Sequence, residues 1–250
     1  MSDQPNPRQA GIPGTRPAAW ATPWPVRLAW VPVPAFLLAI LALWVADFRG
    51  SYESPAVLIG LNFIFSVLAS LCIAYLLGRS FLARPKPGLL LVGCGALAWG
   101  VAGFAGSVAA LSKGSGFSAN TLVTLHNTCV WVSALCHLTG AASALRWQVS
   151  LSAPRLWLGL AYGATAGLVG FVSLAALSDW MPVFFVAGQG GTPLRQFVLG
   201  SAIAMLALTA LMLRAMNQPR WSPFAYGYAL GLSLLAVGLT GVMLQRETGQ

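Results

Sequence analysis

Acidic side chains are nearly missing from this chain: five Asp and Glu in 250 residues, with all charged residues at 8%. A soluble domain of this size carries about 25% charged residues. The shortage excludes several chemistries. No pair of carboxylates is available for acid–base work at a membrane midplane. The buried carboxylates usual in a proton- or cation-coupled transporter are missing too. Histidine is scarce as well, with two residues. There is no nucleophile–base–orienter set, no Gly-rich phosphate loop and no HExxH zinc motif. The sequence therefore predicts no enzyme.

What the chain has instead is apolar length. Hydrophobic residues make up 57% of it, and its mean hydropathy is +0.74. Seven runs are long enough to cross a hydrocarbon core of about 30 Å, which takes about 20 residues. They cover Leu28–Ala46, Pro55–Leu77, Gly88–Leu111, Ala119–Leu145, Leu156–Leu177, Phe197–Met212 and Pro223–Leu244. In lipid every backbone polar group must be satisfied internally, which leaves helices or a closed barrel. Continuous apolar runs without period-2 alternation select helices. The expected fold is all-α: a polytopic bundle of seven spans over residues 27–245. A polar, Pro-, Gly- and Ala-rich tail (1–26) precedes it and is expected to be disordered. Residues 246–250 form a short C-terminal tail. The first apolar run is too long for a signal-peptide core, so the first span is expected to persist in the mature protein.

The net charge of +9 raises the question of a nucleic-acid partner, and its distribution answers it. Ten cations (Arg8, Arg16, Arg27, Arg79, Arg84, Lys86, Arg146, Arg155, Arg214 and Arg220) fall on one side of the expected bundle. Only Arg49, Lys113, Arg195 and Arg246 fall on the other, together with Asp47, Glu53, Asp179 and Glu247. The positive-inside rule assigns the first side, and the N-terminus, to the cytoplasm. The basic balance is a topology signal, and no nucleic acid is expected. Trp30, Trp147, Trp157 and Trp221 flank the inner ends of the spans, and Trp44 and Trp180 the outer ends, as headgroup anchors. All four cysteines sit inside apolar spans, so no secreted disulfide framework is implied.

Small residues line three spans: Gly93, Ala96, Gly100, Gly103, Ser107 and Ala110 in the third; Gly159, Gly163 and Gly167 in the fifth; Gly227, Gly231, Gly238 and Gly241 in the seventh. Such stripes let membrane helices approach closely. The expectation is packing within the bundle, with a dimer face as the alternative. Thr192-Pro193 and Ser222-Pro223 each combine an N-cap residue with Pro at the first helical position, and mark the starts of spans six and seven.

Both histidines lie in span four, in His126-Asn127-Thr128-Cys129-Val130-Trp131-Val132-Ser133-Ala134-Leu135-Cys136-His137. Eleven residues at about 100° each bring them back to one face within about 20°, about 16 Å apart along the axis. Ionisable groups inside a membrane are costly and mark functional hypotheses. Their face is expected to point into the bundle, toward Asn62, Ser66 and Ser70 of span two. The rival reading is a neutral imidazole hydrogen-bonded between helices. Cys72, Cys94, Cys136 and His137 share a depth, and His126, Cys129, Cys136 and His137 are the candidate metal ligands; soft ligands of this kind suit Cu(I). A b-type haem with two histidine ligands would need a second chain, because both histidines are on one helix. Neither cofactor is expected.

The outer segment Asp179–Gln196 is apolar and aromatic, then Gly-rich, and opens span six. It is expected to cap the bundle and to form a ligand or stimulus pocket from Asp179, Phe184, Phe185, Gln189, Thr192 and Arg195. At least one of the two phenylalanines should leave water. Arg195, placed against the dipole of its own helix, should pair with Asp179 or a lipid phosphate.

Two segments carry a family resemblance. Pro182-Val183-Phe184-Phe185-Val186 through Gly188-Gln189-Gly190-Gly191-Thr192-Pro193-Leu194-Arg195-Gln196 resembles the signature of the MASE domains. His126-Asn127-Thr128 followed by Cys136-His137 resembles it as well. These are membrane-associated sensor domains of bacterial histidine kinases and diguanylate cyclases; the chain is similar to the third or fourth class over spans two to seven. The resemblance implies a multi-helix input module in the bacterial inner membrane. It also implies a homodimer or a larger membrane complex that drives a cytoplasmic kinase or cyclase output domain. Seven spans with the N-terminus inside leave the C-terminus outside, so either an eighth span and an effector are missing from this chain, or it is a stand-alone relative with no output of its own that needs a partner. A non-catalytic accessory subunit of a membrane complex is the alternative, and a small transporter or haem/copper membrane protein the third reading.

Overall fold

The computed structural model describes residues 28–46, 55–111, 119–146, 149–186, 190–216 and 222–244. The chain is almost wholly helical. Helix α1 is Pro32–Val45. Helix α2 runs through Pro55–Asn62, a π-helical stretch Phe63–Leu68 and Ala69–Ala83. Then follow α3 (Pro87–Leu111), α4 (Ala119–Arg146), α5 (Pro154–Leu177), α6 (Pro193–Met216) and α7 (Pro223–Leu244). Between α5 and α6 lie β1 (Phe185–Val186) and β2 (Gly190–Gly191), paired antiparallel with Phe185 opposite Gly191.

Six of these helices, α2 to α7, are long and apolar enough to cross a membrane. Helix α1 has 14 residues, about 21 Å at 1.5 Å per residue, which is short of the hydrocarbon thickness. The two Pro-initiated starts form as expected. Ser222 Oγ accepts from Ala225 N at 3.4 Å, and Thr192 Oγ1 accepts from Arg195 N at 3.4 Å.

Helices α3 and α4 form the hub. α2 packs on α3, α5 on both hub helices, α6 on α4, α7 on α6 and α1 on α7. One core cluster joins α4, α6 and α7 through Val130, Leu199, Leu206 and Leu232. A second joins α3, α4 and α5 through Ala98, Leu125, Cys129 and Val169. Small residues on α3 permit the close approaches. A Cβ at Gly100 or Gly103 would press on Ser70 or Ser66, and at Gly88 on the Gly140 carbonyl. On α5, in contrast, a Cβ at Gly159, Gly163, Gly167 or Gly170 would meet open space. That stripe does not pack the bundle within this chain, because α5 turns its larger side chains Val169 and Val172 inward instead.

The polar face of α2 packs mainly on α3. Asn62 Nδ2 donates to the Gly103 carbonyl at 3.3 Å, and Ser66 and Ser70 lie against α3. The face packs on α3, and of its three polar residues Ser70 also lines the cavity that Ser133 and His137 of α4 line. The wide π turn, closed by Ala69 N–H on the Ile64 carbonyl, presents these residues to the glycine stripe of α3.

Candidate functional site

His137 is the centre of a buried polar cluster. Its Nδ1 is 2.6 Å from the Ser133 carbonyl oxygen one turn back, and its Nε2 is 2.6 Å from Tyr228 Oη on α7. A carbonyl only accepts, so Nδ1 carries the proton, and Nε2 accepts from the Tyr228 hydroxyl. The imidazole is thus neutral with a fixed tautomer. Ser133 Oγ donates to the Gly95 carbonyl of α3 at 2.7 Å. One cluster therefore ties α3, α4 and α7 together. A ring stack extends it: Phe224 on Tyr228 at 5.7 Å, and Tyr228 on His137 at 5.8 Å. His137 is only 4% exposed, so the loss of any of these bonds would leave a buried polar atom unpaired.

A cavity of about 400 Å³ lies beside this cluster. Its floor is Ala96 and Trp99 of α3 with Ser133 and His137 of α4, and its flanks are α2 and α7, which are not packed on each other. Leu206 of α6 closes the far wall. The lining is mostly apolar with a few convergent polar groups, the usual make-up of a small-molecule site.

The other residues expected in a site are dispersed. His126 is half-buried, its ring edge-on to Trp99 at 6.0 Å and within electrostatic reach of Arg195. Asn127 is buried, and its Nδ2 has no hydrogen-bond partner among the described residues. Cys129 is buried in the α3–α4–α5 core. Cys94 and Cys136 lie near each other across α3 and α4, and Cys72 points outward, so the cysteines do not converge on one point. Among the described residues no three His, Cys, Asp or Glu group together as metal ligands. Both ring nitrogens of His137 are already occupied.

The segment before α6 lies against the start of α4. Phe184 and Phe185 are both buried, and their backbone N–H groups donate to Asn120 Oδ1 at 2.9 and 3.0 Å. Thr192 Oγ1 donates to the Val183 carbonyl at 2.9 Å. Gly190 takes a φ of 87°, open to glycine at no cost, where the hairpin returns. Gln189 lies outside the described residues.

Asp179 serves the backbone. It sits at φ 55° just past α5, and the Trp180 N–H reaches back to the Ala175 carbonyl at 3.0 Å, a left-handed C-terminal cap. Its side chain is exposed. Arg195 does not turn to it. The guanidinium is buried over Gly191 and donates from Nη2 to the Val242 carbonyl at 3.0 Å. The cation therefore serves the C-terminal end of α7, where its charge suits the dipole.

Sequence reasoning missed Tyr228, Gly95, Asn120 and Trp99. Tyr228 is an aromatic in an apolar run, and nothing local distinguishes it from a lipid-facing anchor. Asn120 left a signal: an amide in the first turn of a membrane-spanning helix.

The helices and their hydropathy define a multi-pass integral membrane protein associated with the lipid bilayer. No protein-family model, curated protein or solved structure matches the chain.

Proposed function

We propose that this chain is the sensory input module of a bacterial inner-membrane signalling protein, of the MASE type its motifs resemble. It has no catalysis of its own and drives a cytoplasmic kinase or cyclase. In this reading α1, extended by its flanking residues, is a seventh crossing, the N-terminus is cytoplasmic and the chain works as a homodimer. The observation that carries the reading is the His137–Tyr228 bond at the edge of the cavity. It joins the α3–α4 hub to the peripheral pair α6–α7 at the point where a small apolar molecule has room to enter. A ligand there acts on the packing of α7 against α4, which is the differential contact a two-state sensor needs.

In-cell crosslinking of the full chain, followed by mass spectrometry of the adducts, tests the reading. A kinase or cyclase is the expected partner, and its output should change with His137→Gln at unchanged expression. Recovery of a respiratory or transport complex instead would favour the accessory-subunit reading and overturn this one.

A further inference from the structure

The hydrogens of the polar cluster are all committed within the protein. His137 Nδ1–H goes to the Ser133 carbonyl, the Tyr228 hydroxyl proton to His137 Nε2, and the Ser133 hydroxyl proton to the Gly95 carbonyl. Both hydroxyl-bearing residues line the cavity. What they hold out to an occupant is therefore lone pairs, chiefly those of Tyr228 Oη. We propose that the cavity binds an apolar molecule carrying a hydroxyl, an alcohol or a phenol, whose O–H donates to Tyr228 Oη. The proposal rests on the reading of this cavity as the input site and names the chemistry of its ligand.

A carbonyl or ether oxygen fits this end of the cavity badly. To meet it, Tyr228 would turn its proton away from His137 and leave Nε2 facing an oxygen lone pair at 2.6 Å. Moving the imidazole proton to Nε2 cures that contact. It then sets a bare Nδ1 against the Ser133 carbonyl at 2.6 Å. Protonating both nitrogens removes both conflicts and creates a cation inside the bilayer, where uncompensated charge is costly. A hydroxyl meets no such conflict, because it donates one hydrogen and its oxygen still accepts. The Ser70 hydroxyl and the Trp99 indole, elsewhere on the lining, are the groups that return a hydrogen bond to it. The remaining walls, Phe65, Leu206 and Leu232 among them, suit an alkyl or ring body.

The matched pair 4-nonylphenol and 4-nonylanisole isolates the hydroxyl. The full chain is reconstituted in nanodiscs of phosphatidylethanolamine and phosphatidylglycerol, and tritiated 4-nonylphenol is titrated with empty nanodiscs subtracted. The expected result is saturable binding, with the anisole competing about tenfold less well, the worth of one buried hydrogen bond. Tyr228→Phe should bring phenol and ether to equal competition. Gly231→Phe should abolish saturable binding. Gly231 lines the cavity and a Cβ there meets nothing within 4 Å, so the backbone accepts a side chain beside the cavity. Equal competition by the two probes on the wild-type protein overturns hydroxyl recognition and leaves the input-site reading standing. Discrimination that survives Tyr228→Phe, or binding that survives Gly231→Phe, also overturns it by placing the phenol elsewhere. Absence of saturable binding to a protein with an intact thermal transition overturns the proposal and the input-site reading together. If Tyr228→Phe does not fold, the wild-type comparison and Gly231→Phe still decide.

Discussion

At position 95 the backbone of α3 runs so close to α4 that the His137 ring occupies the volume a Cβ would fill. The glycine is needed for the approach, not for its backbone freedom, since it lies within a regular helix. Gly95→Ala should therefore displace the ring and break the bonds to Ser133 and Tyr228. The expected cost is about 1–3 kcal/mol, the usual range for overpacking, read as a lowered thermal midpoint in detergent. Gly159→Ala on α5, where a Cβ meets open space, is the control and should stay within about 0.5 kcal/mol. If both substitutions cost the same, the contact at Gly95 does not set the ring. How much of the site was legible divides along the same line. His137 stood out because an ionisable side chain in an apolar run is rare. Gly95 and Tyr228 did not, because which glycine touches which ring is decided by the pairing of helices far apart in sequence.

Helices α6 and α7 are sewn together at the hairpin end by side chains of α6 that serve the backbone of α7. Arg195 Nη2 donates to the Val242 carbonyl and Gln196 Nε2 to the Met243 carbonyl at 3.1 Å. Both carbonyls belong to the last described turn of α7, where helix carbonyls look for partners outside their own helix. This explains a cation in the first turn of α6, a placement its own helix disfavours. The hairpin beside it hangs on Asn120, whose Oδ1 accepts from two successive backbone N–H groups and from Thr124 Oγ1 at 3.4 Å. Asn120→Leu should leave the Phe184 and Phe185 N–H groups unpaired, at about 1–3 kcal/mol each. Amide hydrogen exchange over residues 183–186 should quicken at least tenfold while the helix cores stay protected. Protection equal to wild type would show that the hairpin is held by its apolar burial alone. The starts of α6 and α7 were legible because a cap and a proline are local chemistry. The end of α2 was not. Its helix continues from Leu77 to Ala83 through Arg79, past the apolar run, because a long cationic side chain can lie along the helix and reach polar surroundings. The glycine face of α5 was misjudged for another reason: a small-residue stripe states that a close approach is allowed, and only the fold states whether this chain supplies the partner.

The charges of the described residues sort by end. Leu151 N donates to the Pro85 carbonyl, so the α2–α3 and α4–α5 connections meet at one end of the bundle. Arg79, Arg84, Lys86, Arg146 and Arg155 gather there, joined by Arg214 near the end of α6. Arg214 lies over the Trp30 ring at 4.8 Å, which fixes the entrance to α1 at that same end. Arg195 and Asp179 lie at the opposite end, with the hairpin and the last turn of α7. An asymmetry of this kind is what sets orientation during insertion. By that rule the cationic end is expected in the cytoplasm and the hairpin outside, an expectation that labelling tests. Ser80 and Ser178 are both exposed and stand at the two ends, so single cysteines there read the orientation directly. In a Cys72→Ser background, which removes the outward-facing native thiol, a membrane-impermeant maleimide added to spheroplasts should label Ser178→Cys at once. Ser80→Cys should react only after permeabilisation. The reverse pattern would invert the molecule and put the hairpin in the cytoplasm. Labelling of both from one side would mean that an odd number of crossings does not separate α2's end from α5's end, and the bundle as a through-membrane unit would fail.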